Sequence, residues 1–241
     1  MRRTALALAA SSIFFFTPGE ARADDASPLA VLLPKLAVSS ARFESMLKKA
    51  SFTVTGKMET IAGDGSISDP KEGIFRVVND GKGNVKVDVV KYAEDGKDKT
   101  EDAKKKAEER AKEKKKPKAD EEVHMPFLGT EQGKYDYRIG EADKADPVRV
   151  RVYFTPRSPA QNLLQGSAWV DSNNGNVLSM GASPSKTPPF IDYFRIQMEC
   201  GETTSMGPAP SKISFEGGGG FLFLKKRFRG AATMTGWQVP P

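Results

Sequence analysis

Beyond Ser51 the chain runs on a two-residue rhythm, and this constrains its fold more than any other feature. Phe52, Val54 and Met58 alternate with Thr53, Thr55 and Lys57, and Val85, Val87 and Val89 alternate with Lys86 and Asp88. Between them Gly73 to Val78 is followed by Asn79-Asp80-Gly81-Lys82-Gly83, a strong hairpin signal. Later segments are Tyr135 to Ile139, Val148 to Phe154, Ala168 to Val170, Val177 to Gly181 and Ile191 to Glu199; Ser211 to Phe215, Gly220 to Lys226 and Ala231 to Trp237 complete the series. Pro, Gly and Asn turns separate them, so the expected product is a meandering antiparallel sheet, strongly curved or closed into a barrel.

One earlier segment breaks the rhythm. From about Pro34 to Ala50 the spacing is helical, with Phe43, Met46 and Leu47 at i, i+3 and i+4. An apolar stripe on so short a helix needs a partner surface, and the sheet supplies one. The expected fold class is therefore α+β: a strongly curved antiparallel sheet, or incomplete β-barrel, with an N-terminal helix packed in or over its concave face.

The ends and the charge pattern bound the location. Met1-Arg2-Arg3, an apolar stretch from Ala5 to Phe16 and then Ala21-Arg22-Ala23 have the layout of a secretory signal, with cleavage after about Ala23. The apolar stretch falls short of the roughly 20 residues that span a bilayer. The expected organisation is a signal peptide over 1–23 and one domain over 24–241, working in the periplasm. The net charge of +6 falls to about +4 once Arg2, Arg3, Arg22 and Glu20 are removed, too weak a balance to imply nucleic acid. From about 94 to 122 the chain is almost wholly charged and reads as a helical insertion by its Ala103, Ala107 and Ala111 spacing. Its 11 basic and 9 acidic residues from Lys97 to Glu122 nearly cancel. It reads either as an exposed insertion or as a docking arm.

Reactive chemistry is sparse. Cys200 is the single cysteine and His124 the single histidine, which removes intramolecular disulfides and His-rich metal sites. There is no phosphate-cradling loop ahead of a helix and no nucleophile elbow. Gly217 to Gly220 precedes a strand, and reads as a bulge or bend better than as a ligand loop. No catalytic residue, cofactor or metal is expected. What remains is an apolar sheet face, and a sheet this large encloses more volume than one helix fills. The residues expected to line such a cavity are Phe52, Val54, Met58, Val87, Val152, Phe154, Trp169, Phe194, Ile196, Phe221 and Phe223, with Lys225-Lys226-Arg227 at a rim.

Gly166-Ser167-Ala168-Trp169-Val170-Asp171, followed by Asn174-Gly175-Asn176-Val177-Leu178, resembles the strand-turn-strand of the bacterial lipoprotein-sorting carriers of the LolA/LolB type and of the RseB/MucB lipid-sensing domains. Val152 to Arg157 and the helix-then-strand start from Phe43 to Met58 stand in the matching order. The resemblance implies an incomplete barrel, covered by helices, that receives acyl chains in the periplasm. The partners it implies are lipid or lipoprotein acyl chains, held without a chemical step and released when the helix moves. The other reading is a non-enzymatic envelope protein that docks on outer-membrane or envelope proteins through sheet edges or the charged insertion.

Overall fold

The computed structural model describes residues 27–79, 85–112, 122–221 and 224–240. The expected signal peptide lies outside the described residues.

Helix α1 spans Pro28–Lys49. Ser27 caps it, its hydroxyl accepting from the Ala30 amide, and Pro28 has no N–H to leave unpaired at the first turn. The helix thus begins six residues ahead of the expected start and runs through Pro34. Pro34 and Ala30 are both exposed, so water can take the hydrogen bond that the proline ring removes. On the other side of the helix Leu32, Leu36, Ser39, Ser40 and Met46 are buried.

Three strands follow, β1 (Ser51–Ile61), β2 (Ile67–Asn79) and β3 (Val85–Glu94), then the two-residue β4 (Lys97–Asp98). Within the charged stretch the described helix is α2, Thr100–Lys112, and residues 113–121 lie outside the described residues. Helix α2 lies along β3, where the Thr100 hydroxyl accepts from the Tyr92 amide at 3.0 Å. After an irregular segment ending in the 3-10 turn Gln132–Lys134 come β5 (Tyr135–Ala142), β6 (Arg149–Pro156), β7 (Leu164–Asp171), β8 (Val177–Pro184) and β9 (Ile191–Glu199). A small hairpin of β10 (Glu202–Thr204) and β11 (Gly207–Ala209) precedes β12 (Lys212–Phe221) and β13 (Leu224–Gln238). The segment expected as one strand from Gly220 to Lys226 is instead divided, with Phe221 at the end of β12 paired to Leu224 at the start of β13.

Eleven strands form one antiparallel sheet in the order β4-β3-β2-β1-β13-β12-β9-β8-β7-β6-β5. The sheet is curved and open, with β4 and β5 as edges. Its two meanders are joined by β1 and β13, paired from Ser51 with Gln238 to Ile61 with Arg227. The expected glycine bulge is present: the β12–β9 register shifts between Gly218 and Gly219.

The main core sits on one half of this sheet. Leu32 and Leu36 pack with Phe127, Tyr135, Val152, Phe154 and Ala168, all under 4% exposed. The β7–β8 turn grips the helix from its side. Gly175 has φ +74°, and a Cβ there would run into the backbone of Lys35 and Leu36. Lys35 Nζ donates to the Ser172 carbonyl at 3.1 Å, and Ser39 Oγ donates to Asn176 Oδ1 at 3.0 Å. On the far side Gln132 Nε2 donates to the carbonyls of Leu33 and Phe127. Leu36→Ala is expected to cost about 2–5 kcal/mol in urea unfolding. Val38→Ala, two residues on and 60% exposed, should stay within about 0.5 kcal/mol.

Candidate functional site

Strand register decides which side chains share a face, because residues directly opposite in an antiparallel pair point the same way. One row crosses nine strands through Gly73, Gly56, Ala232, Ile213, Met198, Met180, Ala168, Val152 and Ile139. Its β6–β8 end is buried under Leu32 and Leu36, so this is the helix-bearing face. The next row runs Met58, Gly230, Phe215, Ile196, Ala182, Gly166, Phe154 and Tyr137. A third carries Thr60, Phe228, Gly217 and Phe194.

Of the residues expected to line a cavity, Phe52, Val54, Met58, Val87, Val152, Phe154, Phe194 and Ile196 fall on this face. They divide into two groups. Val152 and Phe154 are fully buried in the core beneath α1, where Phe154 meets Phe127 edge-on at 5.4 Å between ring centres. That interface is filled: the gap beside it, between Ser39, Phe43 and Val177, measures about 10 Å³, room for at most one water. Phe52 stacks on Trp237 at 4.1 Å, beside a second small core of Met46, Ala50 and Ala209.

The other group is left partly open. Phe194 lies 6.3 Å from Phe215 and 6.1 Å from Phe228, and those two are 6.4 Å apart. All three rings are only half-buried, and on the same face Met58 and Val87 are 38% and 47% exposed. Glycines set the ring orientation: a Cβ at Gly230 would strike the Phe215 ring, and one at Gly217 the Phe228 ring. Phe75 lies over Gly73 in the same way. Each ring therefore lies across the sheet and forms an aromatic floor. Lys225, Lys226 and Arg227 stand exposed at the start of β13, beside this floor.

Trp169 points to the opposite face. It is paired with Arg151 and Ser179, and the Arg151 guanidinium lies 5.3 Å from its ring. Arg151 is also 5.6 Å from the Tyr153 ring and pairs with Glu141 at 2.8 Å, so Trp169 belongs to a cation–aromatic ladder. Phe223 lies outside the described residues, and of Phe221 only its backbone pairing with Leu224 is described. Phe228 and Phe75 escaped the list drawn from the sequence. Phe228 fell between two expected strands, whereas β13 in fact runs unbroken through it.

Titratable groups do not gather at the floor. Burial pushes the Tyr137 phenol well above its usual range, and its hydroxyl donates to the Pro126 carbonyl at 2.5 Å. Among the described residues no group of three or more His, Cys, Asp or Glu could hold a metal ion, and no helix is long and apolar enough to cross a membrane.

No protein-family model matches the sequence, and no curated protein matches it significantly. Solved structures do. A LolA superfamily protein from Nitrosomonas europaea is 10% identical over 84% of this chain and 94% of its own, with a TM-score of 0.38. MucB in complex with the periplasmic part of MucA is 12% identical over 83% and 93%, at 0.23. The Pseudomonas aeruginosa MucA/MucB complex is 10% identical over 83% and 94%, also at 0.23. Scores this low leave any functional argument to the chain's own residues.

Cys200 offers a direct probe of packing, since burial pushes its thiol up to about 12. The thiol should resist a disulfide reagent at pH 8 in the fold and react promptly in denaturant. The fold keeps it protonated beyond 9.0, the ordinary value, so its contribution to stability is full below pH 9 and is lost as pH rises toward 12.

Proposed function

We propose that the protein is a periplasmic carrier that holds a lipid or lipoprotein acyl chain, without covalent chemistry, on the open half of its helix-bearing face. The observation that carries this reading is the Phe194–Phe215–Phe228 floor. It continues the face on which the core is built, yet its rings are not fully buried. With Met58 and Val87, 38% and 47% exposed on the same face, the rings offer apolar surface that a ligand chain can cover. The signal-like start at Met1 to Ala23 supports an envelope location. Lys226, two residues before Phe228 on the same face, stands where an anionic head group would emerge.

The energetics favour a long chain. Each buried methylene is worth about 0.8 kcal/mol. Association costs on the order of 4–15 kcal/mol in lost rigid-body freedom. About ten buried methylenes are needed before binding is retained, so hexadecanoyl ligands should bind and octanoyl ligands should not. Entry does not require α1 to move, because the core contacts of α1 are with the β5–β8 half and, through Met46, with Phe52 and Trp237, and not with the Phe194–Phe215–Phe228 floor.

The test is uptake of a fluorescent hexadecanoyl lipid by the mature chain. Phe194→Glu is expected to lower affinity at least tenfold, Phe194→Leu to keep most of it, and Trp169→Gln to leave it unchanged, with melting curves confirming that each variant folds. Undiminished uptake by folded Phe194→Glu would contradict the reading and favour docking on envelope proteins through the sheet edges.

A further inference from the structure

The opposite face of the same half-sheet holds a second feature. A trough of about 370 Å³ crosses five strands, from β3 to β12. Its floor is a single row: Ile74 of β2, Thr55 of β1 and Thr233 of β13 lie side by side, with Lys91 at one end and Lys212 at the other. Four strand spacings put those two lysines about 19 Å apart along the sheet. In the next row Lys57 sits beside Ala231, between the two ends. Small side chains and bare glycine backbone make the hollow, so the space is a consequence of sequence at these positions.

Part of this face carries matched charge: Arg195 pairs with Glu216 at 3.1 Å, Arg229 with Glu59, and Arg151 with Glu141. Around the trough Lys57 and Lys91 form no ion pair among the described residues, and Lys212 has only a 3.8 Å contact with Glu199. Glu72 is the one carboxylate in its wall. The rim is net positive over an apolar floor, with cations at the ends of an elongated hollow.

We infer that this trough is a second binding site, for a single-chain amphiphile with an anionic head. The chain lies across Thr55, Ile74 and Thr233, and the head group meets a terminal lysine with Lys57 in support. The volume is at the low end for small-molecule sites, where a single chain fits better than a two-chain lipid. The site stands on its own residues and does not depend on the aromatic floor of the other face.

The experiment follows isoleucine methyl signals of the mature chain by NMR during titration with dodecanoate, below its micelle concentration, and with dodecyltrimethylammonium. The Ile74 methyl reports the trough and the Ile196 methyl reports the helix-bearing face. Dodecanoate is expected to shift Ile74 saturably, the cationic amphiphile is not, and K57E/K91E should weaken the response at least tenfold. Lys91→Gln, a milder change that keeps the fold if the double variant does not, should weaken it about threefold. An Ile74 signal that ignores dodecanoate, or that answers both amphiphiles alike, overturns the inference. A response at Ile196 alone would overturn the inference while leaving the carrier reading intact, and a response at Ile74 alone would support the inference and leave the carrier reading to the hexadecanoyl uptake test.

Discussion

The packing of α1 on the sheet sets everything else in this protein. A helix of 22 residues is about 33 Å long and roughly 10 Å across, whereas eleven strands span about 48 Å. One helix cannot cover such a sheet. Leu32 and Leu36 commit it to the β5–β8 half, and the β7–β8 turn at Gly175 holds it there from the side. On the remaining half the helix reaches only Phe52 and Trp237, through Met46, and neither buried core includes Phe194, Phe215 or Phe228. Those rings therefore lie across glycines and remain partly exposed.

Much of the fold was legible because period-two alternation is a local signal. The three-strand start, the hairpin at Asn79, the bulge in the glycine run and a helix ahead of β1 are all read from neighbouring residues. Errors came where local and non-local signals compete. Pro34 reads as a helix start, but burial of Leu32 and Leu36 outweighs one missing hydrogen bond on the exposed side. Phe221 to Lys226 reads as a strand, yet pairing of Phe221 with Leu224 divides it between β12 and β13.

The site was legible in type more than in place. That one face would be apolar followed from alternation, and eight of the expected lining residues fall on it. Whether a given residue lies under the helix or beyond it depends on which strands α1 meets, and no short stretch of sequence carries that information. Val152 and Phe194 look alike in sequence, but one is sealed beneath Leu36 and the other faces Phe215 and Phe228. Trp169 sits on a strand where residues of both faces are partly apolar, and register with Arg151 assigns it to the cation-bearing side. The two faces of the open half thus present different chemistry: aromatic rings on one, and lysines around small side chains on the other.

The most direct measurement of the central claim is photolabelling with a phosphatidylethanolamine that carries a diazirine in its acyl chain, followed by peptide mapping. Labels on Phe194, Phe215 or Phe228 and their strand neighbours are the predicted result. Labelling confined to the α1 core around Leu36, Val152 and Phe154, or no labelling of the folded chain, would contradict it.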